Sequence, residues 1–277
     1  MVLGLQGCAG STKARTEISL RPLYSTAQFR ATLLTYQSDD LTLNALVATP
    51  HTDAPTDGYP TIIANHGFVP DPSRYGIGRD GVDARPGDYY RAIPASYARQ
   101  GFRVVMPDYR GHSNSSGGET LTDDIWHNIS RYADDVVALI DSIDRLPETD
   151  SARLFLWSHS MGGPVSSLTL QRRPVFLAAS FWSPMSLTRS TRDYPKLKAE
   201  IVIHHAEEDA TTPLANAQAF TRALAQAGVA HQLHVYPGGD HLLTEEQLAR
   251  AVQRDVKLFK HVDRSNESTD RRISDEQ

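Results

Sequence analysis

The sequence predicts an α/β fold: a mostly parallel central sheet of about eight strands, flanked by helices and carrying no large cap domain. Three observations lead there. Short apolar runs alternate with segments of helical period along most of the chain. After the first hairpin the runs are nearly continuous in apolar residues, as in strands buried on both faces of a parallel sheet. The intervals between them are long enough for a crossover helix each.

The elements follow in order. "RATLLTYQSDDLTLNALVATP", residues 30–50, reads as two strands around a turn at Ser38-Asp39-Asp40. "TIIANHG" is the next strand, followed by "FRVVMPD", "ARLFLWS", "VFLAASFW", "EIVIHHA" and "HQLHVYP". Between them Ile125, Ile129, Tyr132, Val136, Ile140 and Ile143 form one helical stripe, and Leu214, Ala217, Phe220 and Leu224 another. Thr212-Pro213 suits an N-cap followed by proline at the first helical position. A last helix carries Leu248, Val252, Asp255 and Phe259 along one side, with Val256 beside them. Thr244 and Gln247 have the spacing of its capping box. Two loops, 68–88 and 183–198, exceed the usual connection and lie where a ligand crevice forms in such sheets.

The chain divides into a lead-in over 1–28, a folded α/β domain over 29–262 and a polar tail over 263–277 that is expected to be disordered. Its net charge of −5 gives no reason to expect nucleic acid as a partner. No apolar run reaches the roughly 18 residues of a membrane span. With one cysteine, Cys8, no intramolecular disulfide can form. Leu5-Gln6-Gly7-Cys8 resembles the lipobox of bacterial lipoproteins. Two readings of it stay open. One is a frayed N-terminus with a chance cysteine, in a protein soluble as given and cytoplasmic. The other is a lipid anchor at Cys8 of an envelope protein whose true start lies upstream. The pattern sets no oligomeric state.

The chemistry centres on "LWSHSMGG", residues 156–163. An apolar strand runs into Ser158-His159-Ser160-Met161-Gly162-Gly163, and helix signals follow. Strand, sharp turn and helix are the context of a nucleophile elbow, which exposes the Oγ of Ser160. Ser158 replaces the usual first glycine and keeps the position small. A serine needs a base, and the base an orienting acid. "HHAEEDATTP" places Asp209 just past one strand, and "YPGGDH" places His241 just past the next. Serine, acid and histidine thus occur in the order this context demands. Glu207 and Glu208 compete with Asp209 for the acid role, whereas Asp240 is expected to diverge from its neighbour His241. His204 and His205 read as packing or rim residues. The oxyanion hole needs two backbone N–H donors, expected from Met161, after the nucleophile, and from Phe68 in His66-Gly67-Phe68. His66, Gly67, His159, Trp182 and Met185 are candidate pocket residues, with Tyr89 and Tyr90 as further ones. No HExxH or other metal spacing, Walker loop or dinucleotide fingerprint occurs, so neither metal nor cofactor is expected.

Together "NHGF", "DYRGHSNSSG", "SHSMGG", "AEEDATTP" and "GGDH" resemble the α/β-hydrolase superfamily, nearest the prolyl oligopeptidase catalytic domains and the dienelactone hydrolase-like group. The resemblance covers roughly residues 41–262. It implies the α/β-hydrolase fold, a mostly structural role for Asp108-Tyr109-Arg110-Gly111, and serine-hydrolase chemistry. Ser158 and Ala206 stand where that pattern has glycine. Dienelactone hydrolases typically use cysteine, so Ser160 argues against that activity itself. Prolyl oligopeptidase relatives usually carry a β-propeller, for which the residues before the first strand leave no room. The expected function is therefore a carboxylesterase acting on a small-molecule ester. A peptidase or amidase, an acyltransferase with the same triad, and a non-catalytic binding protein of this fold are the alternatives.

Overall fold

The computed structural model describes residues 17–69, 89–187 and 194–275. Their strands form one nine-stranded sheet. In chain order the elements are β1 (Ser19–Ser25), β2 (Phe29–Ser38), β3 (Leu41–Pro50), β4 (Tyr59–Asn65), α1 (Tyr89–Ala98), β5 (Arg103–Asp108), α2 (Ile125–Ile140), β6 (Thr149–His159), α3 (Gly162–Arg172), β7 (Phe176–Trp182), β8 (Glu200–Ala206), α4 (Leu214–Gln226), β9 (His231–Tyr236) and α5 (Glu245–Asp275). Across the sheet the order is β1-β2-β3-β5-β4-β6-β7-β8-β9. The pairs β1–β2, β2–β3 and β3–β5 are antiparallel, and all pairs from β5 to β9 are parallel.

Two apolar layers follow from strand periodicity, because successive side chains point to opposite faces. Leu154 and Leu156 of β6 face the α2, α3 and α4 side, with Ile63, Val136, Val165 and Phe220. Phe155 and Trp157 face the α1 and α5 side, with Ile62, Tyr97, Val252 and Phe259. The stripe of α2 behaves as its spacing predicts: Ile129, Tyr132, Val136 and Ile140 are buried. Each such side chain contributes about 1.5–3 kcal/mol of transfer free energy. Asp124 caps α2, accepting the Trp126 N–H at 2.9 Å. At the start of α5 the expected capping box is present: Gln247 accepts the Thr244 N–H at 3.1 Å, and the Thr244 hydroxyl accepts the Gln247 N–H at 3.3 Å.

Three boundaries differ from the sequence reading. β1 adds a strand inside the expected lead-in. Its residues are mostly exposed and include Pro22, so its sequence carries no apolar alternation. α5 continues to Asp275, past the expected boundary at Asp263. The N-cap of α4 is Pro213, not Thr212; the Thr212 side chain is engaged elsewhere, as described below. Cys8 and loop residues 70–88 lie outside the described residues.

Arg110 is a framework residue, as the motif around it implied. It is 1% exposed and its guanidinium grips Asp135 of α2, with Nη2 2.5 Å and Nε 3.0 Å from the carboxylate. The Arg110 N–H and the Ser38 hydroxyl donate to the same carboxylate. The end of β5, the end of β2 and α2 are thereby locked beside the sheet edge from which the candidate site opens.

Candidate active site

The site lies at the carboxyl ends of the parallel strands. Ser160 follows β6 at φ 56°, a left-handed conformation that costs a non-glycine residue about 1–3 kcal/mol. Neighbouring backbone holds it there. The Ser160 N–H donates to Trp182 O at 3.0 Å, and Ser160 O accepts from Gly163 N–H at 2.9 Å and Met185 N–H at 3.0 Å. α3 begins at Gly162 immediately afterwards.

The need for small residues around this turn has two distinct causes. At Gly162 an added Cβ would stand 2.3 Å from the Asn65 carbonyl oxygen, so the helix start rests directly on the backbone ending β4. Ser158, fully buried, is aligned with Asn65 on one side and Phe181 on the other, and its hydroxyl donates to Ser180 O at 3.3 Å. Serine is tolerated because this carbonyl receives its one polar atom.

Past β8, the exposed Glu207 and Glu208 face solvent while Asp209 is 5% exposed. The structure therefore brings Asp209, not its acidic neighbours, to His241. The His241 Nδ1 lies 2.9 Å from Asp209 Oδ2. Oδ1 accepts the N–H groups of Thr211 and Thr212 at 2.9 and 2.8 Å, and the Thr212 hydroxyl is 2.8 Å from Oδ2. Burial works to raise the Asp209 carboxyl, but these donors outweigh it and hold it below the ordinary carboxylate value. Asp209 is thus an ionised acceptor that favours a proton on His241 Nδ1, leaving Nε2 as the basic nitrogen. His205 backs this turn: its Nε2 donates to Thr212 O at 2.8 Å, and burial pushes its pKa down.

Gly67 reaches Ser160 closely. A Cβ there would lie 3.0 Å from Ser160 Cβ and 2.8 Å from the Tyr90 hydroxyl, so a larger residue would push that hydroxyl off the Gly67 amide. His66 Nδ1 donates to Gly67 O at 2.8 Å. Because the peptide is planar and trans, holding that carbonyl also sets the direction of the Phe68 N–H. The Phe68 side chain is 61% exposed, the Met161 side chain is buried, and Leu242 beside His241 is 42% exposed.

The candidate pocket residues separate. His66 is buried and stacks on Tyr109 at 4.2 Å between ring centroids. Trp182 is fully buried between Trp157 and His204, so its ring lines no open pocket in this structure. His159 is also buried, 2% exposed, with its ring 4.6 Å from that of His241. Met185 is half-buried beside the serine turn. The Tyr89 side chain lies outside the described residues.

Sequence reasoning missed two features. The spacing predicts Thr212 as a cap, yet its hydroxyl lies within 3.2 Å of Ser183 O, Asp209 Oδ2 and His241 Nδ1. Asp255 shares its helix side with Leu248, Val252 and Phe259, and its fully buried carboxylate accepts from Tyr97 OH, Ser180 Oγ, Trp182 Nε1 and His204 Nε2 at 2.5 to 3.0 Å. A carboxylate at a core-facing helix position is itself the signal, since a buried charge must find partners.

Comparison with known proteins agrees with this architecture. The model of the dienelactone hydrolase family matches residues 81–267. No curated protein matches the sequence. Among solved structures, a protein from Klebsiella pneumoniae described as a dienelactone hydrolase has 16% identity and a TM-score of 0.62, over 88% of this chain and 98% of its own. Acetyl xylan esterase 1 from Thermoanaerobacterium sp. has 16% identity and a TM-score of 0.63, over 88% of each chain. Dipeptidyl peptidase 4 from Porphyromonas gingivalis has 20% identity and a TM-score of 0.66, over 84% of this chain and 36% of its own.

Proposed function

Because the chain belongs to the dienelactone hydrolase family, we propose that it is a serine hydrolase cleaving carboxylic esters of small or medium size through an acyl-serine intermediate. One observation carries the reading. His241 Nδ1 is held 2.9 Å from the buried Asp209 carboxylate, at the same sheet end as a serine strained to φ 56°. Each of the three follows a parallel strand at that end of the sheet, and no packing requirement demands a serine, a carboxylate and an imidazole there.

Each group then has one role. His241 Nε2 takes the Ser160 proton as Oγ attacks the acyl carbon. The negative charge that develops on the carbonyl oxygen is received by the N–H groups of Phe68 and Met161. Asp209 keeps the proton on Nδ1 and stabilises the imidazolium without itself becoming protonated. His241 next gives its proton to the departing alkoxide, which leaves as the alcohol. Water, deprotonated by His241, attacks the acyl-serine, and collapse returns the carboxylic acid and free Ser160. The exposed Phe68 and Leu242 side chains offer apolar surface for the groups flanking the scissile bond.

A panel of p-nitrophenyl esters of graded acyl length, run against aminoacyl p-nitroanilides, tests the substrate class. Faster anilide turnover would replace the esterase reading with the peptidase one. A fluorophosphonate probe should label the protein and fail on Ser160→Ala. A folded wild-type chain that takes no label would support a binding protein instead.

A further inference from the structure

We propose that Tyr90 and His159 are positioning residues, forming a one-way hydrogen-bond relay that ties the oxyanion loop to the turn bearing His241. The role rests on the serine-hydrolase reading; the chain of contacts is independent of it. Tyr90 lies in the first turn of α1 and is 4% exposed. Its hydroxyl lies 2.9 Å from the Gly67 nitrogen and 2.6 Å from His159 Nδ1, and His159 Nε2 lies 3.1 Å from the carbonyl oxygen of His241.

The His241 carbonyl can only accept, so His159 Nε2 carries a proton. In a neutral imidazole Nδ1 is then bare, and at 2.6 Å it takes the Tyr90 phenol proton. The Gly67 N–H can only donate, so the phenol oxygen accepts from it. An imidazolium would instead donate from both nitrogens and turn the phenol proton away from the ring, reversing the middle link. Burial, with the neighbouring His241, pushes His159 down to about 3, so the neutral form persists throughout the working range of a serine hydrolase.

The relay grips the backbone beside both proposed working groups. At one end it fixes the amide of Gly67, one residue before the Phe68 N–H. At the other it fixes the carbonyl of His241, the residue whose ring meets Asp209. Tyr90 is held in turn by edge contact with Trp157, at 6.3 Å between ring centroids. His159 thus acts through the backbone of the residue it touches, beneath the site and not in the substrate's path.

The test uses the full chain with Tyr90→Phe, His159→Leu and His159→Gln. Active sites are counted with a fluorophosphonate, so turnover is expressed per competent serine. Tyr90→Phe and His159→Leu should each lower kcat about 10- to 100-fold with KM held within about two-fold, as expected when oxyanion and base geometry loosen. The double variant should be no worse than the poorer single one, because both cut the same chain. Glutamine offers an acceptor oxygen and a donor nitrogen, so His159→Gln should recover most of the loss. A merely structural role would lower thermal stability and the count of labelled sites but leave kcat per site unchanged, and that result would overturn the proposal. Nitrogen-15 NMR of His159 near neutral pH reads the relay without any activity: Nε2 should be protonated and Nδ1 bare, with the Nδ1 shift moving in Tyr90→Phe. A protonated Nδ1 refutes the relay even if the enzyme is active. If the wild-type chain neither labels nor turns over, the hydrolase reading fails and these shifts still decide the relay.

Discussion

Replacing Gly162 by alanine should damage catalysis far more than the size of a methyl group suggests. The new Cβ would meet Asn65 O at 2.3 Å, with Asn65 C and His66 O both at 2.8 Å. Contacts under 3.0 Å are essentially never seen, so the two backbones must part by about 0.7 Å. All three atoms belong to the main chain, and no rotamer change relieves them. Alanine's helix propensity would return at most about 1 kcal/mol, against about 1–3 kcal/mol for overpacking. The displaced residues lead directly into Gly67 and Phe68, the loop assigned to the oxyanion. Movement of that size at the proposed oxyanion donor would cost on the order of 100-fold in rate. The assay is steady-state hydrolysis of p-nitrophenyl acetate per titrated serine, with thermal unfolding alongside. We expect kcat to fall about 100-fold and the midpoint by roughly 2–10 °C. Gly118→Ala is the control, because its Cβ would meet only Gly111 Cα at an ordinary 3.6 Å. Wild-type kcat and melting in Gly162→Ala would refute the reasoning.

Three further outcomes follow from the same structure. Folded His159 stays neutral down to about 3, whereas in the unfolded chain it takes a proton near 6.5. Between those values the unfolded state binds more protons, so this group makes stability fall as pH drops, by up to about 1.4 kcal/mol per unit. Urea titrations across that window should show the slope, and His159→Gln should lessen it by this group's share, leaving the part that His205 and His234 contribute; an unchanged slope would rule the assignment out. Asp255→Ala strands four buried donors and should cost about 3–5 kcal/mol by chemical denaturation, with a loss under about 1 kcal/mol contradicting the network. Ser158→Gly should keep the proposed esterase activity, while Ser158→Leu should cost about 1–3 kcal/mol from crowding between Asn65 and Phe181. A fully stable and active leucine variant would disprove that account of the turn.

The central strands and α2 were legible in sequence because burial on two faces or one stripe leaves a periodic record. β1 left none: it pairs with β2 alone, stays largely exposed and accommodates Pro22 at the sheet edge. Ser160, Asp209 and His241 could be singled out because each follows an apolar strand in an order one chemistry explains. Which of three adjacent acids faces the histidine depended on the turn itself, which buries Asp209 and exposes Glu207 and Glu208. Thr212 illustrates the harder case. Threonine before proline is a good local cap, and the competing demand, the Asp209 carboxylate, is visible only once the turn has closed. His159 is harder still, since its partners Tyr90 and the His241 carbonyl lie 69 and 82 residues away. Periodicity carries local and facial information; the pairing of polar groups across the fold leaves no trace in spacing.

The Asp255 network also bears on how the chain is made. Its donors come from α1, β7 and β8, all synthesised before α5. Until residue 255 has left the ribosome, Tyr97, Ser180, Trp182 and His204 lack the shared acceptor that lets them be buried together. The strand ends that carry Ser160 and Asp209 can therefore be drafted during synthesis but are sealed only by the last helix. Premature termination before that point would leave a nascent sheet with polar groups it cannot close over, a species suited to recognition by chaperones and proteases.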